Sequence, residues 1–256
     1  MLNDFKTLRV ESSSEGRVLR VQLNRPDEGN TITRQVLNEL QTVLDWLEDD
    51  RSVRVLVLSG AGTDFSKGGE RTEFAPLLDE DPSGTALRAL GNKAQRVCES
   101  LSKLQVATVA RIQGDVIGAG LGLAIFCDVR VGADNCRFVM PETVLGVPPA
   151  WGGVLPRLQA EAGQAWIRRL LLTAESFDAV TAERLAILQE VVPAVHLDEA
   201  VERWVKQLVR KDPTTIRILK TMLNATANTS QLALSSYYDA ELLTSAVTRR
   251  AFSRRG

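Results

Sequence analysis

Residues 106–133 read VATVARIQGDVIGAGLGLAIFCDVRVGA, and they pass through strand, turn, helix and strand again. Val106–Ile112 is an apolar, β-branched run closed by Gln113 and Gly114, the pattern of a buried strand. The glycines at 114, 118, 120 and 122 then mark a turn into a short apolar helix, Leu121–Phe126. Val129–Ala133 reads as a further strand. Such an alternation is the signature of a sheet joined by crossover connections.

The same alternation extends outward on both sides. Arg17–Asn24 (RVLRVQLN) alternates like a strand, and Thr33–Leu47 carries a helical apolar face through Val36, Leu37, Leu40, Val43, Leu44 and Leu47. Val53–Ser59 is a buried-looking strand that runs into the loop GAGTDFSKGG, and a helical region follows over residues 86–104. From about Ala160 onward the spacing is helical: Ala165–Thr173, Leu197–Val209, a helix opened by Pro213 and running to about Thr226, and a last helix from about Leu232 to Phe252. Glu80–Gly84 reads as an exposed loop tip. A mixed α/β core followed by a helical C-terminal third is expected, with no internal repeat.

Composition excludes several classes. The 256 residues can bury a substantial core, and 31 Lys+Arg stand against 32 Asp+Glu. That balance, with 5% aromatic residues, argues against a nucleic-acid binder, which carries a basic excess and stacking aromatics. Cys98, Cys127 and Cys136 form no C-x-x-C pair, so neither a disulfide framework nor a zinc site is expected, and a reducing compartment is. The opening MLNDFKTLRVESSSEG has no apolar segment behind a basic start, and no apolar run approaches the roughly 18 residues that span a bilayer. A cytoplasmic, non-membrane protein is expected. His196, the single histidine, reads as a solvent-facing loop residue, which leaves no Ser-His-Asp triad.

Three segments carry candidate chemistry. In Phe65-Ser66-Lys67-Gly68-Gly69-Glu70, adjacent glycines after a strand permit close approach of a ligand to main-chain amides, although an ordinary tight turn fits the same residues. Gly114–Gly122 imitates a dinucleotide fingerprint, but Asp134 comes too early for that fingerprint's acid; a helix start presenting the Ala119 amide to an anion needs no cofactor. In Phe138-Val139-Met140-Pro141-Glu142, the carboxylate is either a plain helix-start acid or, flanked by Val139, Met140 and Val144, a desolvated proton-transfer group.

The succession F-S-x-G-G-E, Q-G-x-x-I-G-A-G-x-G, C-D-x-R-V-G-A-D, F-x-M-P-E and L-G-V-P-P resembles the crotonase (enoyl-CoA hydratase/isomerase) superfamily. LNRPDEGNTIT and ILQEVVP followed by LDEAV resemble its opening and later segments, so the likeness spans about residues 5–252. It implies an α/β fold of the crotonase/ClpP-like kind: a spiral of ββα units over residues 1–195 and a helical trimerisation region over 196–256. It also implies an acyl-CoA or acyl-carrier thioester as substrate, no permanently bound cofactor or metal, and a homotrimer or hexamer. The family's two oxyanion-hole amides fall on Gly69 and Ala119, flanked by Gly68 and Gly118, and its acid on Glu142. Contacts to coenzyme A are implied for Arg25 and for Lys67 or Arg71, with the basic tail Arg249, Arg250, Arg254 and Arg255 either reaching the cofactor or solvated. Phe74, Leu77 and Leu78 either cover the acyl group or pack as an ordinary amphipathic helix. A ClpP-like protease shares the spiral but needs a Ser and a His that these motifs do not provide.

The pattern departs from the family at Gly122 and again just after the L-G-V-P-P turn. Members that hydrate enoyl-CoA carry two glutamates, and here Gly122 stands where the first belongs. A single remaining acid, Glu142, resembles the double-bond isomerases, or the carboxymethylproline synthases in which an enolate forms a C–C bond. Glu70, Glu73 and Asp115 are the alternative acids. Dihydroxynaphthoyl-CoA synthases carry an acid near the L-G-V-P-P turn, where this chain has Ala150 or Trp151; Trp151 either walls the acyl pocket or packs in the core. An enolate enzyme working through Glu142 is expected, with a catalytically silent binding subunit as the reading from another class.

Overall fold

The apolar runs become the strands of two sheets in the computed structural model of the chain, which describes residues 4–227 and 239–253. In chain order the first elements are β1 (Leu8–Ser13), β2 (Val18–Leu23), α1 (Arg34–Asp49), β3 (Val55–Gly60), α2 (Phe74–Glu80) and α3 (Thr85–Lys103). The central part comprises β4 (Ala107–Ile112), β5 (Asp115–Ile117), α4 (Ala119–Ile125), β6 (Val129–Ala133), β7 (Arg137–Val139) and α5 (Glu142–Leu145). Then come α6 (Val154–Ala162), α7 (Gln164–Thr173), β8 (Phe177–Asp178), α8 (Ala179–Arg184) and β9 (Glu190–Val192). Three longer helices close the chain: α9 (Leu197–Val209), α10 (Pro213–Ala227) and α11 (Asp239–Ser253).

The large sheet has the order β1-β2-β3-β4-β6-β9, and the small one β5-β7-β8. Among the described residues, only the β1–β2 and β7–β8 pairs are antiparallel. From β2 to β9 every pairing in the large sheet is parallel. All six residues of β3 are buried, as a strand covered on both faces requires. Helix α1 starts where Thr33 accepts a hydrogen bond from the Val36 N–H at 3.1 Å, and it buries the apolar face expected of it.

Short or edge strands escaped the sequence reading. In β1 only Leu8 is buried, so its alternation is too faint to register, and β8 is two residues long. Helix α6 was likewise not expected. Helix α4 begins at Ala119, two residues earlier than the apolar run suggested, because Gly120 and Gly122 are helical. The expected start of the last helix, near Leu232, lies outside the described residues.

Two buried cations fix the frame around α4. Arg130, 1% exposed, donates to the carbonyls of Cys127 (2.7 Å), Ile187 (2.6 Å) and Ala186 (3.2 Å), and pairs with Glu161 at 3.0 Å. It thereby locks the C-terminal end of α4 to the Ala186–Ile187 turn. Lys220 on α10 donates to the Val106 carbonyl (2.8 Å) and to Asp128 (2.6 Å), which in turn accepts from the Thr108 N–H. Buried charges are tolerated only when they are paired in this way.

Candidate active site

Two loops at the ends of β3 and β4 run side by side. Ser66 and Val116 form an isolated parallel bridge; the Ser66 N–H donates to Asp115 O at 3.1 Å and the Ile117 N–H to Ser66 O at 2.9 Å. Gly68 sits in this seam at φ +91°, and a Cβ there would come within 2.7 Å of Ile117 O and 3.6 Å of Ala119 N. Only glycine meets both demands. The crossing brings the 68–69 backbone to the first turn of α4. Among the described residues neither the Gly69 nor the Ala119 amide has a main-chain acceptor. A Cβ on Gly69 would touch nothing within 4 Å, so the side-chain face of this residue borders open space. Unpaired amides beside such a space suit an oxygen on which negative charge develops.

Glu142 lies against the same seam. A Cβ on Gly118, whose φ is +46°, would stand 3.0 Å from Glu142 Oε1 and 3.8 Å from Pro141 Cδ. The bare Gly118 is what lets the carboxylate reach the residue before the Ala119 amide. The residue as a whole is half-buried, yet its Oε2 is sealed from solvent and has no hydrogen-bond partner. Burial pushes its pKa up to about 7, opposed only by its own main-chain N–H. The sequence named Val139, Met140 and Val144 as the flanking apolar groups. Met140 is buried, but Val144 is 74% exposed. Two positions along the single-turn α5, Val144 faces away from the acid.

The other acids are committed elsewhere. Glu70 accepts from Thr72 Oγ1 (2.7 Å) and Thr31 Oγ1 (2.8 Å), and these bonds, the Thr72 one first, hold its pKa below the usual value. Glu73 accepts from the Arg34 N–H at 2.9 Å, and Asp115 pairs with Arg137 at 3.0 Å. Arg25 points its guanidinium at Thr31, donating to O and Oγ1 at 3.1 Å each, which leaves Lys67 and Arg71 as the solvent-facing cations beside the first loop. Lys67 lies over Gly29 and pairs with Asp64 at 3.2 Å. Phe74 opens α2, but its side chain and that of Leu78 are outside the described residues, as are the Arg249 and Arg250 side chains and all of Arg254 and Arg255.

Trp151 covers Gly122, the position where the family resemblance implies a first acid. Its Cε3 and Cζ3 lie 2.8 Å from where a Cβ on Gly122 would sit, and the ring packs against the edge of the core. Two supporting residues were given no role in the sequence analysis. Asn30, 1% exposed, donates to Ala61 O (2.8 Å) and Asp64 O (2.9 Å). Ser66 Oγ donates to Asn30 O at 2.8 Å and accepts from the Gly68 N–H at 3.2 Å. The strings G-N-T-I-T and F-S-K-G-G contained both, but only the fold shows that one braces the other.

Comparison with known proteins agrees with this architecture. The family model described as enoyl-CoA hydratase/isomerase matches residues 13–255. The probable enoyl-CoA hydratase echA8 of Mycobacterium tuberculosis is 31% identical over 242 residues, which is 94% of this chain and 90% of that one. A mitochondrial Delta(3,5)-Delta(2,4)-dienoyl-CoA isomerase of Dictyostelium discoideum is 27% identical over 231 residues, 87% and 78% of the two chains. Among solved structures, Pseudomonas aeruginosa AtuE superposes with a TM-score of 0.82 at 33% identity, over 98% of this chain and 92% of that one. With the crossed glycine loops, the sealed glutamate and a family match over nearly its whole length, the chain belongs to the enoyl-CoA hydratase/isomerase family, the crotonase superfamily.

Proposed function

We propose that this protein transfers a proton on the acyl group of a coenzyme A thioester, shifting a carbon–carbon double bond through an enolate. The thioester oxygen sits between the Gly69 and Ala119 amides, and Glu142 removes a proton from one acyl carbon and returns it to another. The observation that carries this reading is the Glu142 carboxylate, with one oxygen sealed and unpartnered and the other against Gly118. A carboxylate poised near neutrality accepts and returns a proton with little driving-force penalty. Each amide donor in such a hole contributes about 3–4 kcal/mol to the transition state. In this reading Lys67 and Arg71 meet the phosphates of coenzyme A, which their exposure beside the first loop supports, and Arg25 steadies the loop through Thr31.

A hydratase reading is favoured by the name of the echA8 relative. It lacks a second acid here, because Gly122 is covered by Trp151 and Glu70, Glu73 and Asp115 are engaged. The expected homotrimer or hexamer and the cytoplasmic location belong to the same proposal. Among the described residues no helix is long and apolar enough to cross a membrane.

The test is double-bond migration in a 3-enoyl-CoA, followed by the ultraviolet absorbance of the conjugated product. Glu142→Gln should reduce the rate by about 10²–10⁴-fold with thioester binding nearly unchanged. Full activity in that variant would move the base elsewhere.

A further inference from the structure

The Gly122 N–H donates to Gly118 O at 2.9 Å, so Gly118, the residue before α4, and Gly122 lie one turn apart at the start of that helix. Glu142 Oε1 fills the side-chain direction of the first, and the benzo edge of Trp151 fills that of the second. The carboxylate and the indole edge therefore both lie against the start of α4, at the residues one before and three after Ala119.

The main chain that carries the indole is held in place. The Trp151 carbonyl accepts from the Val154 N–H at 3.0 Å at the start of α6. Gly152, at φ +61°, packs so tightly on α3 that a Cβ would lie 2.6 Å from Cys98 Sγ. Val154 Cγ2 flanks the same spot, 3.7 Å from the Cβ position at Gly122. The atoms over Gly122 are carbon, and a water held there would lack the polar partners it needs.

We propose that Trp151 is the specificity-determining residue of this site: its indole edge, seated on Gly122, keeps water from the acyl carbons beside Glu142, so an activated thioester is protonated on carbon instead of hydrated. The inference rests on the proton-transfer reading above. With a 2-enoyl thioester the two fates are distinct. In the first, the Glu142 carboxylate takes a C4 proton, the electron pair delocalises onto the thioester oxygen, and the same proton, or one exchanged with solvent, returns to C2 or C4. In the second, water adds its oxygen to C3, a proton goes to C2, and the 3-hydroxyacyl thioester results.

The experiment incubates crotonyl-CoA in D₂O with the full-length protein and measures deuterium at C4 and 3-hydroxybutyryl-CoA together. The wild type should incorporate deuterium and form little of the hydroxy product. Trp151→Ala should raise the ratio of hydration to exchange by about tenfold or more, the scale at which a hydrophobic pocket contact discriminates. A purely structural role for the indole would lower both rates together and leave the ratio unmoved. If Trp151→Ala does not fold by circular dichroism, Trp151→Leu carries the test, with a smaller rise expected. An unchanged ratio in the folded variant, or a wild type that hydrates faster than it exchanges, overturns the role of Trp151. In the latter case Glu142-dependence of hydration would leave the base assignment standing. A wild type inert in both reactions overturns the proton-transfer reading itself.

Discussion

Glu142 concentrates the chemistry, and its burial has a consequence for stability. Its pKa rises from 4.5 unfolded to about 7 folded, so folding is disfavoured once the group ionises. The stabilising contribution of the neutral acid is intact below pH 4.5 and is lost as pH climbs through about 7. Glu142→Gln removes that loss. The variant should gain up to about 3 kcal/mol over wild type at pH 8, and close to nothing at pH 4, in urea unfolding. The basic form of Glu142 starts the reaction, so kcat/KM should rise with pH to a plateau above about 7. At Ala119 the test is the amide itself. Ala119→Pro deletes the N–H and should lose about 10²–10³-fold in kcat, whereas Ala119→Gly keeps the donor and should stay within about tenfold of wild type.

At the scale of elements, the site is a crossing of two loops onto α4, and small errors in that crossing are costly. Gly68→Ala would place a methyl group 2.7 Å from Ile117 O at φ +91°. It should reduce kcat by about 10²-fold, the effect of a displacement near 1 Å, with the melting temperature changing far less. The other end of α4 depends on Arg130. Arg130→Leu strands several carbonyls and Glu161, and should destabilise the fold by about 3–5 kcal/mol, read as a lowered midpoint in chemical unfolding. These elements were unequally legible in the sequence. Gly68, Gly69, Ala119 and Glu142 announced themselves through motif order, and the structure brings the two loops and the acid together. The contact of Trp151 with Gly122, the brace of Asn30 on Ser66, and the inward turn of Arg25 join residues distant in sequence or choose among rotamers. No periodicity encodes them.

Across the whole molecule, the strands β2, β3, β4 and β6 and the helices α1, α3, α7, α9 and α10 follow from hydrophobic period alone. The small sheet does not, because β5, β7 and β8 are two or three residues long and are defined by their partners. That sheet matters for function: β5 leads into Gly118 and β7 into Pro141, so its parallel pairing, Ile117 opposite Val139, sets Glu142 beside α4. The sheet order thus converts two separate stretches of chain into one site. If residues 196–256 build the expected trimer, light scattering on the full chain should give about three times the 28.1 kDa chain mass, or twice that again for a hexamer.

A saturated thioester tests the central claim most directly, since butyryl-CoA can neither hydrate nor shift a double bond. In D₂O the wild type should exchange the C2 protons of butyryl-CoA well above the buffer rate, and Glu142→Gln should fall back to that rate while still binding the thioester. Equal exchange by the two proteins, or none by the wild type with the thioester bound, would contradict the account.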